Sequence, residues 1–260
     1  MLAINKIELV YFDIHARGEL TRLCFAAANR LSDLVDTRLG LFMESDKYAQ
    51  EWQYKYRPKT PFGYLPYLNV TQSTLNDAQS YTTKISGDGV VEMFVARHLD
   101  LLGDKNNAID SAICNTISLE AVGLLGPQLT KAGLTGQGDW IETQVKVGGY
   151  IGRVFAGLEK YLGSLPEHAA SYSSKVEGKD GEKEKSNFYV VAGRLSLADL
   201  AIFNAVDECI KGPRSQKHFA GVERILRKEY STLMRVYDQI SADLSVYIIE
   251  RQKKFEKTEA

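Results

Sequence analysis

Residues 6–12, Lys-Ile-Glu-Leu-Val-Tyr-Phe, have the apolar density and aromatic content of a strand. From Glu19 the period changes: Leu20, Leu23, Cys24, Ala27, Ala28 and Leu31 recur at helical spacing. Leu34–Leu39 reads as a second, short strand. Residues 44–56 are polar and aromatic and predict an irregular helix or loop. The proline-flanked stretch Thr60-Pro-Phe-Gly-Tyr-Leu-Pro-Tyr-Leu-Asn-Val70 predicts a turn feeding a third strand. A polar loop, 71–80, leads to a fourth strand at 82–86. Gly87-Asp88-Gly89 then opens a helix over 90–102, with Asp88 as its N-cap.

From residue 105 the pattern is helical, over roughly 105–131, 140–163, 196–210 and 220–250, with one short strand signal at 189–192. Strands and helices alternate first and helices alone follow. This order predicts an α/β domain over 1–103 and an all-helical domain over 104–260, with the boundary near Gly103-Asp104. The mixed-charge stretch 171–187 has almost nothing to bury and reads as a solvated loop inserted in the helical part. Ser196-Leu-Ala-Asp199 is a capping-box pattern, a folding feature rather than a site, and Leu195 ahead of it is placed to staple onto Leu200.

Composition narrows the function classes. Of 260 residues 44% are hydrophobic, enough for a real core, and the net charge of −1 provides no global field to attract nucleic acid or an acidic membrane. Cys24, Cys114 and Cys209 are far apart and form no CxxC pair, so neither a disulfide framework nor a metal site is expected. His15, His98, His168 and His218 form no ligand-spaced set. Gly136-Gln-Gly138 lacks the preceding strand of a phosphate loop and reads as a turn between helices. Lys253-Lys-Phe-Glu-Lys257 reads as a solvated terminus. The first residues do not have the form of a signal peptide, and no apolar run approaches the ~20 residues that span a bilayer. The expected compartment is the cytosol.

Four stretches together resemble the cytosolic glutathione transferases, nearest the sigma-like branch with the prostaglandin D synthases. They are Leu9-Val-Tyr-Phe12 with Ala16-Arg-Gly-Glu19; Trp52 with Pro61-Phe-Gly-Tyr-Leu-Pro66; the gapless span from Lys84 to Gly103; and the Ser196/Asp199 box. Their order and spacing carry the resemblance, which covers nearly the whole chain apart from 171–187 and the C-terminal tail. It implies a thioredoxin-like N-terminal domain, an all-α C-terminal domain and a homodimer. It also implies glutathione as co-substrate, a hydrophobic electrophile as second substrate, and no metal, membrane or nucleic acid.

In that resemblance Tyr11 activates glutathione. A thiol of pKa ~8.5 is mostly protonated at neutral pH, whereas the thiolate is the nucleophile. A hydroxyl aimed at the sulfur stabilises the ionised form and lowers the thiol pKa. A phenol stays protonated at pH 7 and so remains a donor. The alternative role for Tyr11 is a packed core tyrosine. Arg17 supports this electrostatics or is a solvated or paired cation, and Glu19 partners Arg17 or caps the helix. Leu65-Pro66, cis in the family, turns the Leu65 backbone toward the cysteinyl unit of glutathione; the alternative is an ordinary turn proline. Trp52 with Lys55 or Arg57 fits the glycyl carboxylate, and Tyr64 lies within the implied binding stretch. At the γ-glutamyl end the family has Gln-Ser or Glu-Ser, where this chain has Gly87-Asp88; Gln79-Ser80 is a decoy. Helix-start amides at Gly87 can hold an α-carboxylate, and Asp88 can accept from the ammonium. Asn115 or Glu120 stands where the family often supplies an acid from the partner subunit. Two functions follow: a transferase, with glutathione-dependent isomerase chemistry as a neighbour, or a non-catalytic relative of the ligandin or S-crystallin type. Gly87-Asp88 favours the second.

Overall fold

The computed structural model describes residues 2–40, 52–74, 80–87, 89–165, 188–213 and 218–256. Its contacts divide the chain into two compact units, Met1–Leu99 and Asp100–Ala260. Residues 100–103, expected with the first domain, fall in the second. There Leu101 O accepts from Leu197 N at 2.8 Å. An added Cβ on Gly103 would meet Asp110 and Val191.

The first unit holds a four-stranded sheet in the order β2-β1-β3-β4. Its strands are β1 (Leu2–Phe12), β2 (Leu34–Leu39), β3 (Tyr67–Thr74) and β4 (Ser80–Ser86). β1 runs parallel to β2, and β3 is antiparallel to both of its neighbours. Helices α1 (Ala16–Ala27) and α2 (Val90–His98) contact each other. Ile7 and Leu9 of β1, Leu20 and Leu23 of α1, Leu68 of β3 and Val91 and Val95 of α2 are buried. β1 begins four residues earlier than its alternation suggests, because the register shifts between Ile4 and Lys6, and a bulge breaks the period. α1 starts before the periodic run and stops at Ala27; Asn29, at φ 55°, turns the chain, and Leu31 sits in a short 3-10 turn, Leu31–Asp33. α2 ends at His98, before Asp100 at φ 59°. Its N-cap position is Gly89, at φ 78°, in place of the expected Asp88. Residues 41–51, 75–79 and Asp88 lie outside the described residues. Trp52–Tyr56 forms a π-helical turn and Arg57–Lys59 a 3-10 turn.

The second unit is helical: α3 (Ala108–Leu124), α4 (Pro127–Leu134), α5 (Gly138–Val145), α6 (Tyr150–Ser164), α7 (Leu197–Lys211), α8 (Ala220–Glu229), α9 (Ser231–Asp243) and α10 (Ser245–Glu256). Every residue from Leu197 to Ile210 is buried, so α7 is the core helix, flanked by α3 and α9. The long helical runs divide where the backbone demands it: at Gly126-Pro127, at Gly148 with φ 92°, and at Tyr230 and Leu244. The expected strand at 189–192 does not form. Val190 and Val191 are buried as apolar anchors, but the Val190 amide donates to Asp199 Oδ1 at 2.8 Å rather than to a neighbouring strand. The capping box forms, with Ser196 N 2.9 Å from Asp199 Oδ2. Gly136-Gln137 links α4 to α5 as a turn, and 253–256 continue α10 as a helix instead of a loose terminus. The stretch 171–187 lies outside the described residues. No single described helix is long and apolar enough to cross a membrane.

Candidate active site

β1 ends at Tyr11 and Phe12, which pair with Arg38 and Leu39 of β2. The carboxyl end of a parallel strand is where open α/β sheets leave a crevice for ligands. The chain then turns into α1, with Asp13 N donating to Leu39 O at 2.7 Å. Tyr11 is 5% exposed, and its ring lies directly over the backbone of Gly18 in the first turn of α1. Ala16, the first helical residue, is buried at φ 42°, a left-handed conformation that costs a non-glycine residue about 1–3 kcal/mol. Such strain persists only where the surroundings over-determine the backbone.

Those surroundings are charged. Arg22, 2% exposed, donates Nη1 to Ile14 O at 2.9 Å, inside the turn between Tyr11 and α1. It also pairs with Asp36 of β2 through Nε at 3.0 Å and Nη2 at 3.1 Å, and with Glu19 at 3.3 Å. Arg38 continues the chain of charges, from Asp36 at 2.7 Å to Asp13 at 2.9 Å. Burial opposes ionisation of Asp36, but Arg22 and Arg38 outweigh it and hold the carboxyl below the usual carboxylate range. Arg22 is thus one partner of Glu19, which the sequence paired with Arg17 or assigned to a cap. The turn that presents Tyr11 and Arg17 is thus clamped to β2 from two sides.

On the other side of β1, the register Val10↔Tyr67 puts Pro66 beside Tyr11 at the next step of the antiparallel ladder. The Leu65–Pro66 bond is cis, Leu65 is buried, and Ser86 Oγ donates to Pro66 O at 3.5 Å. Phe12 links Tyr11 to Trp52: both ring pairs have centroids 5.5 Å apart, tilted. Tyr11, Trp52, Leu65 and Pro66 therefore gather at one end of the sheet.

The remaining residues are less concentrated. Lys55 Nζ lies 5.1 Å from the centre of the Tyr56 ring. Arg57 is exposed, and its Nη1 donates to Gln53 at 2.9 Å while its side chain lies against Gly63. Tyr64 is 44% exposed and stacks with Phe62 at 6.0 Å. The junction of β4 and α2 falls at residues 87–89, and Ser80 opens β4 opposite Ser73, at the far end of that strand. Gly87, at φ 124°, offers its carbonyl to the amides of Val90 at 3.1 Å and Val91 at 3.3 Å. The amides of Val90 and Val91 at the helix start are therefore engaged by the chain itself. Asn115 and Glu120 both lie on α3, where Glu120 lines a surface groove of about 440 Å³ with Tyr150, Arg153 and Tyr161.

The chain's own thiols are poor nucleophiles. Cys24 and Cys209 are fully buried, which pushes both well above the usual thiol range, and burial raises Cys114 to about 11. Thiolate chemistry at Tyr11 would need a thiol brought by a ligand. Sequence reasoning missed Gly18 and Arg22. The only local signal was a glycine inside the first turn of a helix and an arginine three residues past Glu19, both of which acquire meaning from β1 and β2.

No family model matches the sequence. Solved structures do. A sigma class glutathione transferase of Fasciola hepatica superposes with TM-score 0.59 at 16% identity, over 95% of this chain and 96% of that one. A prostaglandin synthase D of Nilaparvata lugens gives 0.55 at 13%, over 95% and 98%. A glutathione transferase of Necator americanus, described as monomeric, gives 0.52 at 20%, over 98% of each chain. At such identities the shared property is architecture, and a fold hosts more than one function. This chain has the fold of the glutathione transferases.

Proposed function

We propose that the protein is a cytosolic glutathione transferase in which the Tyr11 hydroxyl donates to the sulfur of bound glutathione and holds it as thiolate. The thiolate attacks an electrophilic, hydrophobic small molecule, forming a C–S bond as the leaving group departs or, with an activated alkene, as the carbanion takes a proton. The observation that carries the reading is the convergence of Tyr11, Trp52 and Leu65–Pro66 at one end of the sheet, with Arg17 on the first turn of the adjoining helix. Leu65 presents its backbone groups to the cysteinyl unit as a neighbouring strand would. Trp52 with Lys55 or Arg57 takes the glycyl carboxylate. Tyr64 borders the tripeptide, and Gly87 with Asp88 forms the γ-glutamyl end. A glutathione-dependent isomerase is the neighbouring activity in the same site. A homodimer belongs to this reading on the family resemblance, and a solution mass measurement decides it.

A second reading, a non-catalytic ligand-binding or structural relative, is favoured by Gly87, which has no side-chain donor and whose carbonyl already engages Val90 and Val91. Retention on immobilised glutathione, followed by turnover of a chlorinated aryl substrate, separates the two. The transferase is retained and turns over, and Tyr11→Phe cuts turnover at least tenfold, on the order of one lost hydrogen bond to a charged group, while retention persists. Retention without turnover supports the binder, and equal activity in Tyr11→Phe removes Tyr11 from the mechanism.

A further inference from the structure

Gly18 lies in the first turn of α1, and glycine is a poorer helix former than alanine. Its backbone is not in the left-handed region, so conformational freedom does not explain the residue. Space does. A Cβ added there would lie 2.3 Å from Cδ1, 2.5 Å from Cγ and 2.9 Å from Cβ of Tyr11. Carbon atoms rest at ~3.5–4.0 Å, so the first contact is short by more than an ångström. Rotation of the Tyr11 side chain cannot clear all three atoms, because its Cβ does not move with χ1. Both sides of the contact are otherwise fixed. Tyr11 is held in the β1 ladder, and α1 is held by Arg22 to Ile14 O and to Asp36.

Resting on the reading of Tyr11 above, we propose that Gly18 is a positioning residue: its bare Cα is the seat on which the Tyr11 ring lies flat. The seat sets the ring plane and the line from Cγ to the hydroxyl, and with it the direction in which the phenol donates. A ring lifted by about an ångström keeps its hydroxyl but loses its aim, and a misplacement of that size can lower a rate by as much as ~100-fold.

The test is a double-mutant cycle of Gly18→Ala and Tyr11→Phe, with turnover of a chlorinated aryl substrate and the pKa of the bound glutathione thiol as readouts. Gly18→Ala alone is expected to lower kcat by about 10- to 100-fold, leave the KM for glutathione within a few-fold, and raise the thiol pKa. In the Tyr11→Phe background, where there is no hydroxyl to aim, the same change is expected to cost less than about threefold, a difference measured by the cycle rather than by either single variant. Equal losses in both backgrounds, or a lowered rate with an unchanged thiol pKa, would overturn the proposal and leave Tyr11 in place. A Tyr11→Phe protein as active as the parent would instead overturn the reading of Tyr11, and this proposal with it. If Gly18→Ala does not fold, Gly18→Ala/Tyr11→Ala decides: recovery of folding on removal of the ring supports the seat, and failure to recover shows that the glycine answers to something else.

Discussion

Arg22 directs its guanidinium to a backbone carbonyl in the turn after Tyr11, to Asp36 on β2 and to Glu19 one turn back on its own helix. Because Arg22 and Glu19 are both buried, removing the cation leaves a buried carboxylate without this partner. Breaking a buried pair from one side typically costs about 3–5 kcal/mol. Arg22→Met is therefore expected to lower the urea-unfolding free energy by that amount; a loss below ~1 kcal/mol would show that the clamp is not holding the turn. None of this was legible in the sequence. Tyr11 and Pro66 stood out because strand ends and proline-flanked turns have local signatures. Arg22 had none, since its meaning lies in Asp36, fourteen residues away on a strand that pairs with β1 only in the folded sheet. The same holds for Gly18, whose reason is the ring of a residue on another element.

At the scale of elements, two carboxyls hold secondary structure in place with opposite dependence on pH. Asp199 closes the capping box of α7, and burial raises it to about 6 despite the donors Ser196 and Val190. Its folded state holds the proton more tightly than the unfolded chain, where the pKa is ~3.9. Its contribution is thus complete below pH ~4 and declines as pH rises toward 6. Asp36 is depressed, so its contribution is complete above pH ~4 and is lost as pH falls through the lowered value. The penalty for Asp199→Asn is expected to be larger at pH 4 than at pH 7, by up to about 3 kcal/mol. The penalty for Asp36→Asn is expected to be larger at pH 7 than at pH 3. Urea titrations of both variants against the parent check this, and two penalties moving in the same direction would contradict it. The capping box was readable because its donors and acceptors lie within four residues. The supposed strand at 189–192 misled because two buried valines look alike whether their amides meet a strand or a carboxylate.

At the scale of the molecule, alternation followed by helical runs was enough to place four strands, two helices and a helical second unit in order. The long helical runs concealed their breaks, because Gly148 and Tyr230 interrupt helices without interrupting apolar periodicity. The functional reading is harder to obtain at this scale. The fold is shared with glutathione transferases at 16–20% identity, and Gly87, whose carbonyl engages the amides of Val90 and Val91, stands where the resemblance implies Gln-Ser or Glu-Ser. What settles the matter is the state of the sulfur. Titration of glutathione bound to the whole protein, followed by thiolate absorbance, should give a thiol pKa at least one unit below the free value of ~8.5, with most of the shift lost in Tyr11→Phe. A bound thiol that titrates like the free one, or a depressed pKa that survives loss of the phenol hydroxyl, would contradict the account.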